Sequence, residues 1–255
     1  MKVMFSRLCY FPSFLSTDCI EIAILFQQAE KDIRRFEITS NWQRLKSFDD
    51  ELDIDYFKLI LNGIKAEVSN ESLFNYKRDF DICKYIKSFA NELKFTNITT
   101  VETDDFDALV EETRKMYLRY DYDKKERPSL EHQAAFMKRI LRDNKIKFCS
   151  SKIIGNYREN IKYDCIVENY AFKFFSFENK KVTKVVASAK TWAYNAKEME
   201  ATYKTIFVYD TDVEDELFEY VLLILKENAY GVMRIHEAMD FILKKELKST
   251  DYCLF

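Results

Sequence analysis

Three glycines and two prolines are all that this chain of 255 residues contains. Glycine enters the left-handed backbone region without steric cost, and proline presets the first corner of a turn. With so few of either, tight hairpins and glycine-rich phosphate loops are nearly excluded. No Walker or dinucleotide-binding motif occurs in the sequence. Twenty-two Phe and sixteen Tyr supply bulky core material, and 47% hydrophobic with 33% charged residues describes a globular chain. The length suits one large domain or two small ones.

No run of about 18 apolar residues occurs, so a membrane-spanning helix and a membrane partner are not expected. The first ten residues are too charged, and their apolar run too short, for a secretory signal. The six cysteines, Cys9, Cys19, Cys83, Cys149, Cys165 and Cys253, never come within four residues of one another. That removes the C-x-x-C metal and redox patterns and leaves a reduced, cytoplasmic protein as the simplest reading. Abundant Lys, Asn, Ile, Phe and Tyr point to a low-GC bacterium or its phage. Residues 1–120 carry 17 basic and 21 acidic side chains, and residues 121–255 carry 23 and 22. Neither half holds nucleic acid by bulk charge, although a local patch stays open.

Periodicity divides the chain. Residues 121–128, polar and ending in Pro128, form the expected linker between an α+β domain at 1–120 and an α/β domain at 129–255. The first half opens with strands from Val3 to Tyr10, from Ile20 to Phe26 and from Ile33 to Thr39, an antiparallel sheet with helices. Helices are predicted from Ile54, capped by Asp53; across Ile82, Tyr85, Ile86, Phe89 and Leu93; and from Phe106 to Tyr117. Phe95 to Glu102 reads as a strand. The second half reads as a helix capped by Ser129, then a meander of Lys147–Ile154, Ile161–Val167 and Ala171–Phe177. A long helix with Val185, Ala189, Trp192 and Ala196 inward follows, then a strand at Thr205–Tyr209. Thr211 with Glu214 forms a capping box for the next helix. A last strand near Gly231 and a terminal helix complete the order.

Arg7, Tyr10, Pro12, Glu21 with Ile22–Phe26, and Trp42-Gln-Arg44 resemble the opening of an uncharacterised bacterial family of unknown function, whose members begin with an Arg-x-x-Tyr-x-Pro strand. The Asn-x-Gly that usually follows the Glu is replaced by Ala23-Ile24. The family implies a neighbourhood, of kinase-like toxins and mobile elements, rather than a reaction. The second half is similar in element order to a restriction-endonuclease-like core. The resemblance makes Asp164 the first metal-binding acid, a candidate Mg²⁺ ligand, and Lys173 the charge-stabilising lysine. It puts the second acid at Ala171, which has no ligand atom; Glu178 or Glu168 are candidates for a migrated acid.

The residues themselves leave a plainer alternative: Asp164 and Lys173 are what the polar face of any half-solvated hairpin carries. Lys180, Lys181, Lys184, Lys190 and Lys197 cluster on or near the long helix. With Lys173, the set Lys184, Lys190 and Lys197 is the candidate phosphate-facing surface, or simply a solvated helix face. Trp192 follows the apolar rhythm and reads as core. His132 and His236 have no ligand spacing, and no serine lies in a nucleophile elbow. The expectation is a non-catalytic macromolecule-binding protein in bacterial defence or phage counter-defence, with no cofactor. Its partner would be a protein or nucleoprotein complex, with nucleic acid possible. The alternative is a Mg²⁺-dependent nuclease with a migrated acid.

Overall fold

The computed structural model describes residues 1–13, 18–69, 80–150, 152–177, 181–209 and 216–251. Their contacts divide the chain, which is of mixed α+β type, into two compact units, Met1–Pro128 and Ser129–Phe255. The first contains β1 (Lys2–Tyr10), β2 (Ile20–Gln28), β3 (Ile33–Ile38), α1 (Trp42–Phe48), α2 (Ile54–Val68), α3 (Ile82–Tyr85), β4 (Leu93–Phe95), β5 (Thr99–Glu102) and α4 (Phe106–Tyr117). Its sheet runs β3-β2-β1, with β4 and β5 following one another along the far side of β1, and every pairing is antiparallel. Strand β1 is therefore central and is buried on both faces. On one face Leu8 and Tyr10 pack with Phe57, Leu61, Ile64 and Val68 of α2. On the other, Phe5 meets Tyr117 at 5.9 Å and Phe26 meets Phe106 at 6.4 Å, both partners belonging to α4.

The register between β1 and β2 slips by one residue: Leu8 faces Ala23, but Cys9 faces Glu21. Ile22 is the extra residue, a bulge, and it shares the α2-side cluster with Ala23 and Ile20. The slip breaks the alternation read from the sequence, which put Ile20, Ile22, Ile24 and Phe26 on one face. It also turns Glu21 toward the face of Arg7, because residues two apart on a strand point the same way. Arg7, only 3% exposed, donates to Glu21 and lies over the Tyr117 ring at 4.5 Å.

Asp53 caps α2 by accepting from Asp55 N and Tyr56 N. The helix predicted across 82–93 is cut short. After Tyr85 there is one 3₁₀ turn, Ile86–Ser88, then Asn91 at φ 64°, and Leu93 enters the sheet beside Tyr10. Pairing with β1 satisfies backbone groups that a continued helix would have held, so tertiary context overrides the periodic pattern. The strand expected at 95–102 is likewise two strands, β4 and β5. At β3, the end strand of the sheet among the described residues, Arg34 donates twice to Asp32 at 2.7 Å and lies over Phe80 at 4.6 Å, while Arg35 pairs with Asp107 at 2.7 Å. The segment 121–128 packs with this unit: Asp121 accepts from Thr39 Oγ1 and Ser40 N, and Arg127 donates to Tyr122 O at 3.1 Å.

The second unit contains α5 (Leu130–Asp143), β6 (Lys152–Ile154), β7 (Asn160–Lys162), β8 (Cys165–Val167), β9 (Tyr170–Phe175), α6 (Val182–Glu198), β10 (Lys204–Tyr209), α7 (Glu216–Asn228), β11 (Gly231–Arg234) and α8 (Ile235–Asp251). The main sheet has the order β11-β10-β9-β8, parallel except for the antiparallel β8–β9 hairpin. Helices α6 and α7 share one face through Val185, Ala189, Val221 and Leu225, packed with Phe175 and Phe207. On the other face Phe241 of α8 meets Tyr170 edge-on at 5.1 Å. Coverage on both sides explains the dense Phe run of β9. The Thr211–Glu214 box, Glu178 and Lys180 lie outside the described residues.

Tight hairpins form despite the shortage of glycine. Only Glu168 and Asn169 separate Val167 from Tyr170, with Glu168 at φ 51°. Asp32, Asn91, Lys145 and Arg158 also take positive φ, and no glycine does. Sheet pairing on either side over-determines the corners at Asp32, Arg158 and Glu168, and the bonds from Lys145 N and Ile146 N to Arg142 O and Leu141 O hold the one after α5, at about 1–2 kcal/mol each.

The buried Arg7 makes Glu21 essential to the first unit. Glu21→Ala strands a buried guanidinium and is expected to cost about 3 kcal/mol in urea unfolding. The double change Arg7→Met with Glu21→Leu, which removes both charges, is expected to cost less than the single one.

Candidate functional site

The meander expected over 147–177 is present but bent. Lys152, Ile153 and Ile154 pair with Lys162, Ile161 and Asn160, whereas Cys149 bridges Ile166. Between these pairings two residues on the first strand thus face three on the second, so a bulge lies at Tyr163–Asp164. Tyr163 belongs to the cluster under α6 with Ile161, Ile166, Ala171 and Met199. The extra residue brings Asp164 to the same face, one residue beyond Cys165 and Phe172, the last pair of the β8–β9 register.

There the Asp164 carboxylate is fully engaged on one oxygen. Oδ2 accepts from Lys173 Nζ at 2.8 Å and from Phe174 N at 2.9 Å. The side chain takes the place of a backbone acceptor that the bulge has displaced, since a β-strand N–H needs a partner. The Asp164 backbone is tied as well, with N donating to Phe172 O and O accepting from Ser150 Oγ. Lys173 lies over the Trp192 ring at 4.8 Å, and its side chain is 20% exposed. Trp192 itself packs edge-on against the buried Tyr163 at 5.4 Å, as a core residue does.

Position 171, where the nuclease pattern needs its second acid, is buried in the core beneath α6. Glu168 sits at the hairpin turn, four residues from Asp164, or about 13 Å along a strand. Among the described residues, no three His, Cys, Asp or Glu side chains gather as a metal site would require. His132 and His236 lie on different helices, α5 and α8.

Helix geometry separates the lysines. Lys184 and Lys190, six residues apart, project about 120° from each other around α6. The buried stripe of Val185, Ala189, Ala193 and Ala196 lies on the opposite side of the helix, so both lysines stand on the exposed face. Lys190 and Lys197 lie about 20° apart. Tyr194 stands between these two on the same exposed stripe and is 57% exposed. Its hydroxyl donates to that of Tyr157, itself 75% exposed, at 3.4 Å. Tyr157 and Arg158 form the tip of the β6–β7 hairpin, which Asn156 N fastens to Glu198 of α6. A Cβ at Gly155 would lie 2.5 Å from Glu159 Oε1, so a larger residue there displaces the Glu159 carboxylate. On the hairpin's outer face Lys152 and Lys162 are directly opposed, a like-charge pairing that costs stability.

The tyrosine pair was not legible in the sequence, because it joins residues 157 and 194 through a hairpin whose lean on the helix has no local signal. No protein-family model matches this chain, and searches of curated proteins and of solved structures find no significant match.

If Asp164 serves the hairpin backbone, Asp164→Ala is expected to lower stability by about 1–3 kcal/mol, while Asp164→Asn, which keeps an acceptor for Phe174 N, loses less. Ala171→Asp is expected to destabilise by about 3 kcal/mol or more without conferring Mg²⁺-dependent cleavage, because the new carboxylate meets only apolar neighbours. Urea unfolding of the four proteins, with cleavage assays alongside, checks both.

Proposed function

We propose that this is a non-catalytic macromolecule-binding protein, and that its second unit holds single-stranded nucleic acid on the surface shared by α6 and the β6–β7 hairpin tip. The observation that carries the reading is the exposed Tyr194–Tyr157 pair flanked by Lys190, Lys197 and Arg158. Single strands are held by aromatic faces on which bases stack, beside cations that track the backbone. The opposed Lys152 and Lys162 add to the same preference, since an anionic partner relieves their repulsion. Lys173 and Lys184 fall outside this set: one is committed to Asp164, the other lies ten residues before Tyr194, about 15 Å along the axis of α6.

A degenerate restriction-endonuclease-like shape is part of the proposal. The succession of α5, an antiparallel meander, α6 and a parallel strand supports it, and so does the Asp164–Lys173 pair. The buried Ala171 and the prior engagement of Asp164 speak against cutting. The setting of bacterial defence or phage counter-defence comes from the family resemblance of the first half.

Fluorescence anisotropy with labelled oligo-dT and oligo-U tests the proposal. Binding is expected to weaken steeply with salt. Tyr194→Ala and Tyr157→Ala should each weaken it about tenfold, in line with ~1–3 kcal/mol per stacked base. Lys190→Ala and Lys197→Ala should each lower the salt slope by about 0.7, while Lys184→Ala leaves it unchanged. Absence of binding, or equal effects at Lys184 and Lys190, overturns the surface. Cleavage in Mg²⁺ or Mn²⁺ that is lost in both Asp164→Ala and Lys173→Ala replaces the reading with the nuclease.

A further inference from the structure

The bulge in β2 that delivers Glu21 to Arg7 also arranges two thiols. Cys9 faces Glu21 across the β1–β2 pair, and Cys19 lies two residues before Glu21, diagonal to Cys9 on the same face. The two thiols hydrogen-bond each other. Cys9 is 6% exposed, whereas Cys19 is open to solvent. We propose that Cys9 and Cys19 form a reversible thiol–disulfide site that responds to peroxide.

The surroundings divide the labour. The hydrogen bond from Cys9 lowers the Cys19 pKa, and the Arg7 guanidinium adds to this; burial, Glu21 and Asp18 pull the other way. The same hydrogen bond, with burial and Glu21, raises Cys9 well above an ordinary thiol, against the pull of Arg7. Cys19 is thus the accessible, more acidic nucleophile, and Cys9 is the buried resolving thiol that keeps its proton. In the first step the Cys19 thiolate attacks one oxygen of hydrogen peroxide. The O–O bond breaks, hydroxide leaves, and Cys19 becomes a sulfenic acid. In the second, Cys9 sulfur attacks the Cys19 sulfur and the S–O bond breaks. The departing hydroxide takes the Cys9 proton as water. Two thiols are oxidised to one disulfide and peroxide is reduced to two waters. A disulfide needs the two Cα atoms within about 7 Å, so closing it calls for a shift of the exposed Cys19 toward the buried Cys9. The product ties the end of β1 covalently to the start of β2.

The sequence makes the test direct, because no Lys or Arg lies between Arg7 and Lys31, so one tryptic peptide, residues 8–31, carries both cysteines. The folded protein is exposed to limiting hydrogen peroxide, alkylated in denaturant and digested without reductant. The 8–31 peptide is expected to be lighter by two hydrogens and to carry no alkyl group, while the exposed Cys83 and Cys149 are alkylated. Dithiothreitol should restore two alkylatable thiols. Below neutral pH, Cys19 should outpace Cys83, whose pKa is raised by burial and Asp81. Cys19→Ser, a change at an exposed position, should abolish the product. Cys9→Ala should leave Cys19 as a sulfenic acid that a dimedone probe captures. The proposal is overturned if the peptide stays a dithiol when Cys83 and Cys149 are already oxidised. An equal yield in urea, or Cys19 pairing chiefly with a second molecule, overturns it too.

Discussion

One inserted residue in a strand of each unit decides where that unit's charges go. In the first, the slip at Ile22 moves Glu21 across the sheet to Arg7. In the second, the slip at Tyr163–Asp164 moves Asp164 to Lys173 and to the N–H of Phe174. Without the slips each carboxylate would face the opposite side of its sheet, because side chains alternate strictly along a pleat. The neighbouring cation would then be left in a half-dry environment with nothing to balance it. Both cores close on these pairs: Arg7 lies on Tyr117 of α4, and Lys173 lies on Trp192 of α6. The bulges are thus fixed from two sides, by the backbone register and by the ion pair that each creates.

Much of the secondary structure was readable because its causes are local. Asp53, Asp105 and Ser129 cap the helices that follow them, and the apolar rhythms of α2, α4, α5 and α6 name their buried faces. What escaped has non-local causes. The bulges depend on partner strands that no window of sequence contains. Helix α3 stops early because Leu93–Phe95 is taken up by β1. The hairpin turn at Glu168 uses a residue type that gives no turn signal of its own. Asp164 and Lys173 were legible as a pair, since both lie in alternating stretches. That Asp164 answers a backbone N–H was not, and this detail gives the pair a structural part in the hairpin.

The same contrast separates inner from outer charge in the second unit. Lys173 is paired and lies against a ring. Lys190, Lys197 and Arg158 stand around two solvent-facing tyrosines and have no such fixed role in the fold. Keeping large aromatic rings in water forgoes the stabilisation that burial would give. The balance is recovered when a planar partner covers them, which is why the proposed surface is placed there and not at the Asp164–Lys173 pair.

The guarded edge of β3 has a consequence for the protein in crowded solution. A sheet's outermost strand offers its unpaired amides to any neighbouring chain, and a chain with two prolines has little means of blocking that offer sterically. Here the blocking is ionic: Arg34 and Arg35 occupy the rim, clamped by Asp32 and Asp107. Two molecules approaching rim to rim must first part these ion pairs. Colloidal behaviour therefore depends on ionic strength at this place, where dissolved salt loosens the clamps that cover the strand.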